Sequence, residues 1–165
     1  MKIVTVDSPQ GAVLRRRARP VGRVTEQVRA LMDEMFLTMR AAGGIGLAAP
    51  QVGVGLRVIV AEVDRRRVAL ADPVIVRAEG QEVGTEGCLS IPGVVAEVPR
   101  AARVTVRGKN RRGRGVTVTA EGLLSRVLQH EIDHLDGILF LDRVVDRSTI
   151  RQVGQTAEVE AAVSG

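Results

Sequence analysis

The amino-acid sequence predicts an α+β fold in which short antiparallel β-sheets pack around a buried central helix that carries an HExxH pattern. Three observations predict this class: a methionine-rich amphipathic helix near the start, a series of short β-branched segments in the middle, and an apolar helix towards the end. We expect a single domain over residues 1–165, because a chain of this length usually forms one hydrophobic core.

The first helix is predicted to begin after Thr25, a residue type that favours the N-cap position, with Glu26 in its first turn. Apolar residues then recur at helical spacing: Val28, Leu31, Met32, Met35 and Met39. We interpret this stripe as part of the core rather than as a cofactor-binding surface. The glycine-rich segment 41–53 then ends the helix.

Several β-branched segments predict strands. Residues 56–63 form the first, and the others are 67–72, 73–78, 93–98 and 102–108. The last of these alternates in polarity and is followed by the basic segment 109–115 and by 116–120, so Arg103 to Ala120 is predicted to form a hairpin. Its basic turn is either a phosphate contact or a solvated loop, and the solvated loop is the simpler interpretation.

The second helix is predicted from about Ala120 to Asp136, with Thr119 as its cap and Gly137 at its end. Apolar residues lie almost all round it: Leu123, Leu124, Val127, Leu128, Ile132 and Leu135. The remaining stripe is polar: Arg126, Gln129, Asp133 and Asp136. We therefore expect a mostly buried helix. The residues from 147 onwards are predicted to form either a third helix or a frayed tail.

Composition limits the classes of function. The net charge of +5 comes from 22 Arg and 2 Lys, which would attract anionic partners such as RNA. With no Trp or Tyr and only 2 Phe, base-stacking and sequence-specific nucleic-acid binding are not expected. The longest uncharged stretch, 41–56, is too short and glycine-rich to span a membrane as a helix. A single cysteine excludes an internal disulfide and fits a cytoplasmic protein.

Both histidines of the chain lie in QHEIDHLDG, residues 129–137. His130 and His134 are one helical turn apart, so they project from the same face and can share a metal ion. In an HExxH pattern the glutamate, here Glu131, transfers protons between a metal-activated water and the leaving group. Two unpartnered imidazoles on a buried helix would be costly, which favours a metal site.

A catalytic metal usually takes a third protein ligand. Phe140 stands where the extended pattern HExxHxxGxxH would place a third histidine, which excludes that arrangement. Two alternatives remain open at this point. One is Cys88, in a turn-rich segment with several glycines, and the other is a carboxylate from Glu158 or Glu160.

Three segments together carry a family resemblance: GIGLAAPQVG (44–53), EGCLSIPG (86–93) and QHEIDHLDG (129–137). In this order and spacing they resemble peptide deformylase, and the resemblance extends from about residue 14 to residue 144. It implies a metal-dependent hydrolase that removes the formyl group from the N-terminal formyl-methionine of newly synthesised polypeptides and releases formate.

The resemblance also implies roles for individual residues. Cys88, His130 and His134 would ligate the metal, and Glu131 would be the general base and then the acid. The side-chain amide of Gln51 and the backbone N–H of Leu89 would stabilise the developing oxyanion. The substrate backbone would pair with Ile45 and Gly46, and Val127 and Ile45 would line the methionine pocket. Asp133 is expected to form a salt bridge, with Arg100 as a candidate partner.

The implied cofactor is one divalent ion, with Fe(II) expected as the native metal and Zn, Ni or Co as alternatives. The implied partner is the nascent formyl-Met polypeptide. Ribosome association stays open, supported by the arginine excess. Two rival hypotheses stand beside this one: a metallohydrolase with a carboxylate as third ligand, and a basic RNA- or ribosome-binding module without activity. Cys88, Glu131 and Gln51 argue against the second rival, because a module without catalysis needs no acid–base group beside a metal.

Overall fold

The computed structural model describes residues 1–153 and 163–164. Within them the chain forms two α-helices, α1 (Glu26–Ala41) and α2 (Gly122–Leu135). The β-strands are β1 (Gly46–Ala48), β2 (Val58–Val63), β3 (Arg66–Glu79), β4 (Glu82–Cys88), β5 (Ile91–Arg100), β6 (Arg103–Lys109), β7 (Gly115–Glu121), β8 (Arg151–Gln152) and β9 (Val163–Ser164). The α+β class is confirmed. None of the described helices is long and apolar enough to cross a membrane.

The strands form two sheets. The first has five strands in the order β1-β2-β3-β6-β7, and all of its neighbours are antiparallel. The second has the order β8-β5-β4-β9, in which β4 and β9 pair in parallel and the other neighbours are antiparallel. The prediction of antiparallel sheets is therefore confirmed for all but one pair of strands.

Helix α1 packs on one face of the first sheet. The Thr25 hydroxyl accepts a hydrogen bond from the Val28 N–H, so the predicted N-cap is confirmed. The methionine stripe is buried, as predicted for core: Met32, Met35 and Met39 are at most 1 % exposed. These side chains pack with Val58 and Val60 of β2. The helix ends before Gly43, whose φ of +72° suits glycine.

Helix α2 packs on the opposite face of the same sheet. Because side chains alternate along a strand, Ile59 and Ala61 of β2 point away from α1 and join a second cluster with Val127 and Leu128 of α2. The other side of α2 contacts the hairpin β4–β5. A third apolar cluster contains Cys88 of this hairpin together with Leu14 and Phe140. The HExxH helix is thus central and buried, as predicted.

The two predicted strands 67–72 and 73–78 are one strand, β3, which is longer than expected at 14 residues. The ladder with β6 is irregular between Ala71 and Val74, where Asp72 has a positive φ of +51°. Pro73 lies at this irregularity, where its lack of an N–H is tolerated. Proline therefore marks a bulge here and does not separate two strands.

The predicted start of α2 was wrong. Thr119 and Ala120 belong to β7, whose pairing with β6 continues to Glu121 opposite Arg103. The chain turns into the helix at Gly122, with φ +59°, and the N-cap residue Glu121 makes no side-chain capping bond. Continued strand pairing outweighs the capping tendency of threonine. The predicted end is confirmed, because Gly137 has φ +73° directly after the helix.

Strand β4 was not predicted from the sequence. It contains Gly84 and Gly87 and lacks an apolar alternation, so its propensity for strand is low. Pairing with β5 nevertheless places Cys88 at the end of a strand, after a register shift between Gly87 and Cys88, where we had expected a loop. The turn to β5 consists of Leu89 and Ser90.

The two segments with alternative interpretations are described in part. The hairpin β6–β7 is confirmed, and its basic turn is exposed at residues 111–115. Arg111 in this turn forms an ion pair with Asp33 of α1 at 2.7 Å. At the C-terminal end, Arg147–Thr149 form a short 3-10 turn before β8. Arg151–Gln152 of β8 pair with β5, so the part of this segment before residue 154 is not a third helix, and residues 154–162 and 165 lie outside the described residues.

Candidate active site

The structure brings the three expected ligand residues together. Cys88 ends β4, and His130 and His134 lie one turn apart on α2. One donor atom from each residue lies within 4.8 Å of the others, and Cys88 Sγ is 3.4 Å from His134 Nε2. All three residues are buried. A thiolate with two imidazoles at this spacing fits one divalent metal ion.

Glu86 orients the first histidine. Its Oε1 lies 2.8 Å from His130 Nδ1, so Nδ1 donates to the carboxylate and Nε2 is the ring nitrogen that could bind a metal. Burial raises the pKa of the Glu86 carboxyl, but hydrogen bonds from Arg100 and His130 outweigh burial and hold this pKa well below its usual range. Glu86 is therefore an anion that orients the His130 ring.

A series of ion pairs connects Glu86 of β4 with Asp133 of α2. Arg100 binds both oxygens of Glu86 at 2.9 Å and reaches Asp133 at 2.6 Å. Asp133 also binds Arg143 at 3.0 Å. The predicted salt bridge between Asp133 and Arg100 is confirmed. Since Glu86 and Asp133 are both buried, each requires such a cationic partner.

Glu131 differs from these paired carboxylates. Both of its oxygens are buried, and neither has a hydrogen-bond partner in the described part of the chain. Burial raises the pKa of Glu131 to about 7. The site thus contains a carboxyl group that can gain or lose a proton near neutral pH, next to the ligand cluster.

The loop between α1 and β2 covers Glu131. A Cβ atom built on Gly46 of β1 would lie 2.5 Å from Glu131 Oε2 and 2.7 Å from Val127 Cγ1. Val127 is fully buried beneath this strand. Ile45 is partly buried against the same apolar cluster. Gly46, Val127 and Glu131 are therefore in direct contact, and only glycine fits at position 46 without displacing a neighbour.

Gln51 lies beside the thiol. Its Oε1 accepts a hydrogen bond from the Ala48 N–H at 2.9 Å, which directs the amide nitrogen towards the hairpin turn. Gln51 Nε2 lies 3.2 Å from Ser90 Oγ and 3.7 Å from Cys88 Sγ. A fully buried amide donor therefore points at the ligand cluster. Leu89 follows Cys88 directly in the turn, and its expected backbone role stays a prediction.

Sequence reasoning missed two residues of the site, Glu86 and Arg126. Glu86 is a fully buried carboxylate, and Arg126 of α2 is a buried guanidinium whose Nη1 lies 2.7 Å from it. One signal was available for Glu86, because it stands only two residues before the expected ligand Cys88 in the same segment. The alternative ligands Glu158 and Glu160 lie outside the described residues.

Two imidazoles, a cysteine sulfur and a buried glutamate without a hydrogen-bond partner among the described residues define a class of protein, the metal-dependent hydrolases with an HExxH helix. The family model "Polypeptide deformylase" matches residues 1–149. The chain belongs to the peptide deformylase family. These enzymes remove the formyl group from N-terminal formyl-methionine by hydrolysis of its amide bond.

Relatives and solved structures agree with this assignment. The peptide deformylase of Thermomicrobium roseum is 49% identical over 168 residues, which cover 96% of this chain and 94% of that protein. The crystal structure of peptide deformylase from Thermus thermophilus has a TM-score of 0.80 and 49% identity, covering 86% of this chain and 84% of that one. The enzyme from Synechococcus elongatus in complex with actinonin has a TM-score of 0.84 and 42% identity, covering 90% and 81%.

Proposed function

We propose that this protein removes the formyl group from the N-terminal formyl-methionine of nascent polypeptides in the cytoplasm, with a metal ion held by Cys88, His130 and His134. The observation that carries the proposal is Glu131, a buried carboxylate without a hydrogen-bond partner among the described residues, next to the ligand cluster. A buried polar group without a partner is costly, so it requires a functional explanation.

Glu131 carries the proton in the proposed reaction. A divalent ion in this site would polarise the formyl carbonyl and lower the pKa of the attacking water. Glu131 accepts the proton of that water and then donates it to the leaving amine. Burial raises the pKa of this carboxyl above its ordinary value, so the side chain can hold the proton between the two transfers. The C–N bond of the formamide breaks, and formate and a free amine leave.

Gln51 stabilises the negative charge on the formyl oxygen. Its amide nitrogen is held beside Cys88 by the Ala48 N–H, so the donor is oriented before the substrate binds. The Leu89 N–H is proposed as the second donor, because it directly follows the ligand Cys88. Removing one donor of this kind typically costs roughly 3 to 4 kcal/mol in the barrier.

The substrate is proposed to add to the edge of the first sheet. β1 is the terminal strand of that sheet, and its register with β2 pairs Gly46 with Ala61 on one side. The other edge of β1 offers the main-chain groups of Gly46 to an extended peptide, and the family resemblance adds Ile45, whose carbonyl also accepts from the Glu62 N–H of β2 at 2.9 Å. Val127, in contact with Gly46, and Ile45 line the pocket for the methionine side chain.

The identity of the metal and the cellular context belong to the same proposal. A thiolate and two imidazoles suit Fe(II), which we propose as the native metal, and they also accept Zn, Ni or Co. The partner is the nascent formyl-Met polypeptide. The net charge of +5 would assist an approach to the ribosome, whose RNA is anionic.

The first experiment measures formate released from formyl-Met-Ala-Ser by anaerobically purified protein, with metal content quantified. We expect the wild type to release formate and Glu131→Ala to lose at least about 100-fold in kcat/KM while retaining its metal. Glu34→Ala, an exposed glutamate on α1, is the matched control and should be fully active. No release from a metal-loaded wild type would refute the proposal and favour either the inactive RNA-binding module or the rival metallohydrolase.

A further inference from the structure

Arg126 is a buried arginine that the proposed chemistry does not use. It lies on α2 one turn before His130, and its side chain is 9% exposed. Its Nη1 donates to Glu86 Oε2 at 2.7 Å and to the Val98 carbonyl at 2.7 Å, and Nη2 donates to the Glu82 carbonyl at 2.8 Å. One side chain from the helix therefore binds β5 through a backbone carbonyl, and β4 through a backbone carbonyl and the Glu86 carboxylate.

These contacts join the two parts of the chain that carry the proposed metal ligands. Cys88 belongs to the hairpin β4–β5, whereas His130 and His134 belong to α2. The distance between the thiol and the imidazoles depends on how the hairpin sits against the helix. Since metal sites tolerate displacements of only about 0.2 Å in ligand distances, the hairpin must be held in register.

Glu86 transmits the position of Arg126 to the ligands. The same carboxylate accepts from Arg126 through Oε2 and from His130 Nδ1 through Oε1. Glu86 also stands two residues before Cys88 on the same strand. A displaced Glu86 would therefore alter both the orientation of the His130 ring and the strand that ends in Cys88.

Arg100 joins the same two parts in the opposite direction: it lies on β5 and binds Asp133 on α2. It also binds Glu86. A variant that lacks Arg126 therefore leaves Glu86 with one guanidinium partner. For this reason we do not expect an uncompensated buried charge when Arg126 is replaced. The variant loses the hydrogen bonds that join α2, one turn before His130, to the hairpin β4–β5.

Gly84 supports a specific fit of this side chain. A Cβ atom at position 84 would lie 3.1 Å from Nε, Cζ and Nη2 of Arg126. At that distance the guanidinium must shift by a few tenths of an ångström, and it also contacts backbone carbonyls of β4 and β5. Glycine in β4 lowers strand propensity but provides the space in which the arginine lies.

We propose that Arg126 is a positioning residue that aligns Glu86, and through it the strand of Cys88 and the ring of His130, for metal binding. The inference rests on the ligand set of the proposed function. Replacing a residue that orients metal ligands typically lowers metal affinity 10- to 100-fold. Because Arg126 acts through Glu86, we expect about a tenfold loss.

The test is titration of metal-free protein with Co(II), followed by the thiolate charge-transfer absorption and the apparent Kd. Arg126→Met and Gly84→Ala should each weaken Co(II) binding about tenfold and change the absorption band. Arg126→Lys keeps the charge and one donor to Glu86, so it should recover most of the affinity. Arg103→Met, at an arginine whose side chain is 51% exposed, is the matched control and should bind like the wild type.

Urea unfolding of each variant separates positioning from simple stabilisation. If Arg126→Met binds Co(II) within about twofold of Arg103→Met with an unchanged band, the inference is overturned even where the variant is less stable. If Arg126→Met does not fold, an unchanged Co(II) affinity in folded Gly84→Ala overturns it equally. If the wild type binds no Co(II), the assignment of Cys88, His130 and His134 as ligands fails. If the wild type binds Co(II) and the variants bind it equally well, only the role of Arg126 fails.

Discussion

Glu131 Oε2 lies 2.5 Å from the point that a Cβ atom on Gly46 would occupy. An edge strand of the first sheet thus contacts the proposed proton carrier directly, without an intervening side chain. The contact joins two functions in the proposed site, because β1 is also the strand to which the substrate would add.

Gly46→Ala tests this contact. The new methyl group must displace the Glu131 carboxylate or Val127, so we expect kcat/KM for formyl-Met-Ala-Ser to fall about 100-fold. Bound metal should be unchanged, since neither neighbour is a proposed ligand. Gly55→Ala is the control, because nothing lies within 4 Å of a Cβ atom at that position. Equal activity of the two variants would contradict the role of Gly46.

Cys88→Ala distinguishes the two candidates for the third ligand. We expect purified Cys88→Ala to retain less than about a tenth of the wild-type metal content and to lose formate release. Removing a residue that binds the metal directly lowers metal affinity more than removing a residue that only orients a ligand. The variants Glu158→Ala and Glu160→Ala should keep both metal and activity. Metal binding by Cys88→Ala that disappears in either glutamate variant would establish the rival hydrolase.

Gln51→Leu tests the proposed oxyanion donor. Loss of one donor should reduce kcat by about 100- to 1000-fold, with little change in metal content. The measurement is steady-state formate release with the metal quantified in the same sample. Gln27→Leu, at an exposed position on α1, controls for the loss of an amide. If Gln51→Leu loses metal but has wild-type kcat once the metal is restored, Gln51 only helps to position the metal ligands and does not stabilise the oxyanion.

Glu86 predicts an acid-sensitive fold. Burial raises its pKa, but hydrogen bonds from Arg100 and His130 outweigh burial, and the pKa in the folded state is well below the unfolded value of about 4.3. Its contribution is therefore present above pH 4.3 and is lost as the pH falls towards the folded pKa. Urea unfolding of chelator-treated protein should show stability decreasing from pH 5 to pH 3. Glu86→Gln should show a weaker decrease, and an unchanged slope would contradict this assignment.

Local patterns predicted much of the molecule. The stripe from Val28 to Met39 and the cap at Thr25 defined α1, and the alternation in β6 and β7 predicted their hairpin. The spacing of His130 and His134 placed both imidazoles on one helix face. Each of these features depends on residues a few positions apart, whose geometry is set by the period of a helix or strand.

Other features depended on contacts between distant segments. Strand β4 has little strand propensity of its own and exists because it pairs with β5. Arg126 belongs to a stripe that reads as polar, yet it is buried because Glu86 and two backbone carbonyls, up to 44 residues away in the chain, accept its hydrogen bonds. Polar sequence character therefore did not predict exposure, since ion pairing compensated burial.

The sequence by itself determined the helix with its histidine pair, the three motifs and the family that they indicate. The tertiary structure decided that Cys88 ends a strand, that Glu86 and Arg126 hold this strand against α2, and that Gly46 lies on Glu131. The physical reason is that periodicity is a local property of the chain, whereas burial, ion pairing and close packing arise only when segments far apart in sequence meet.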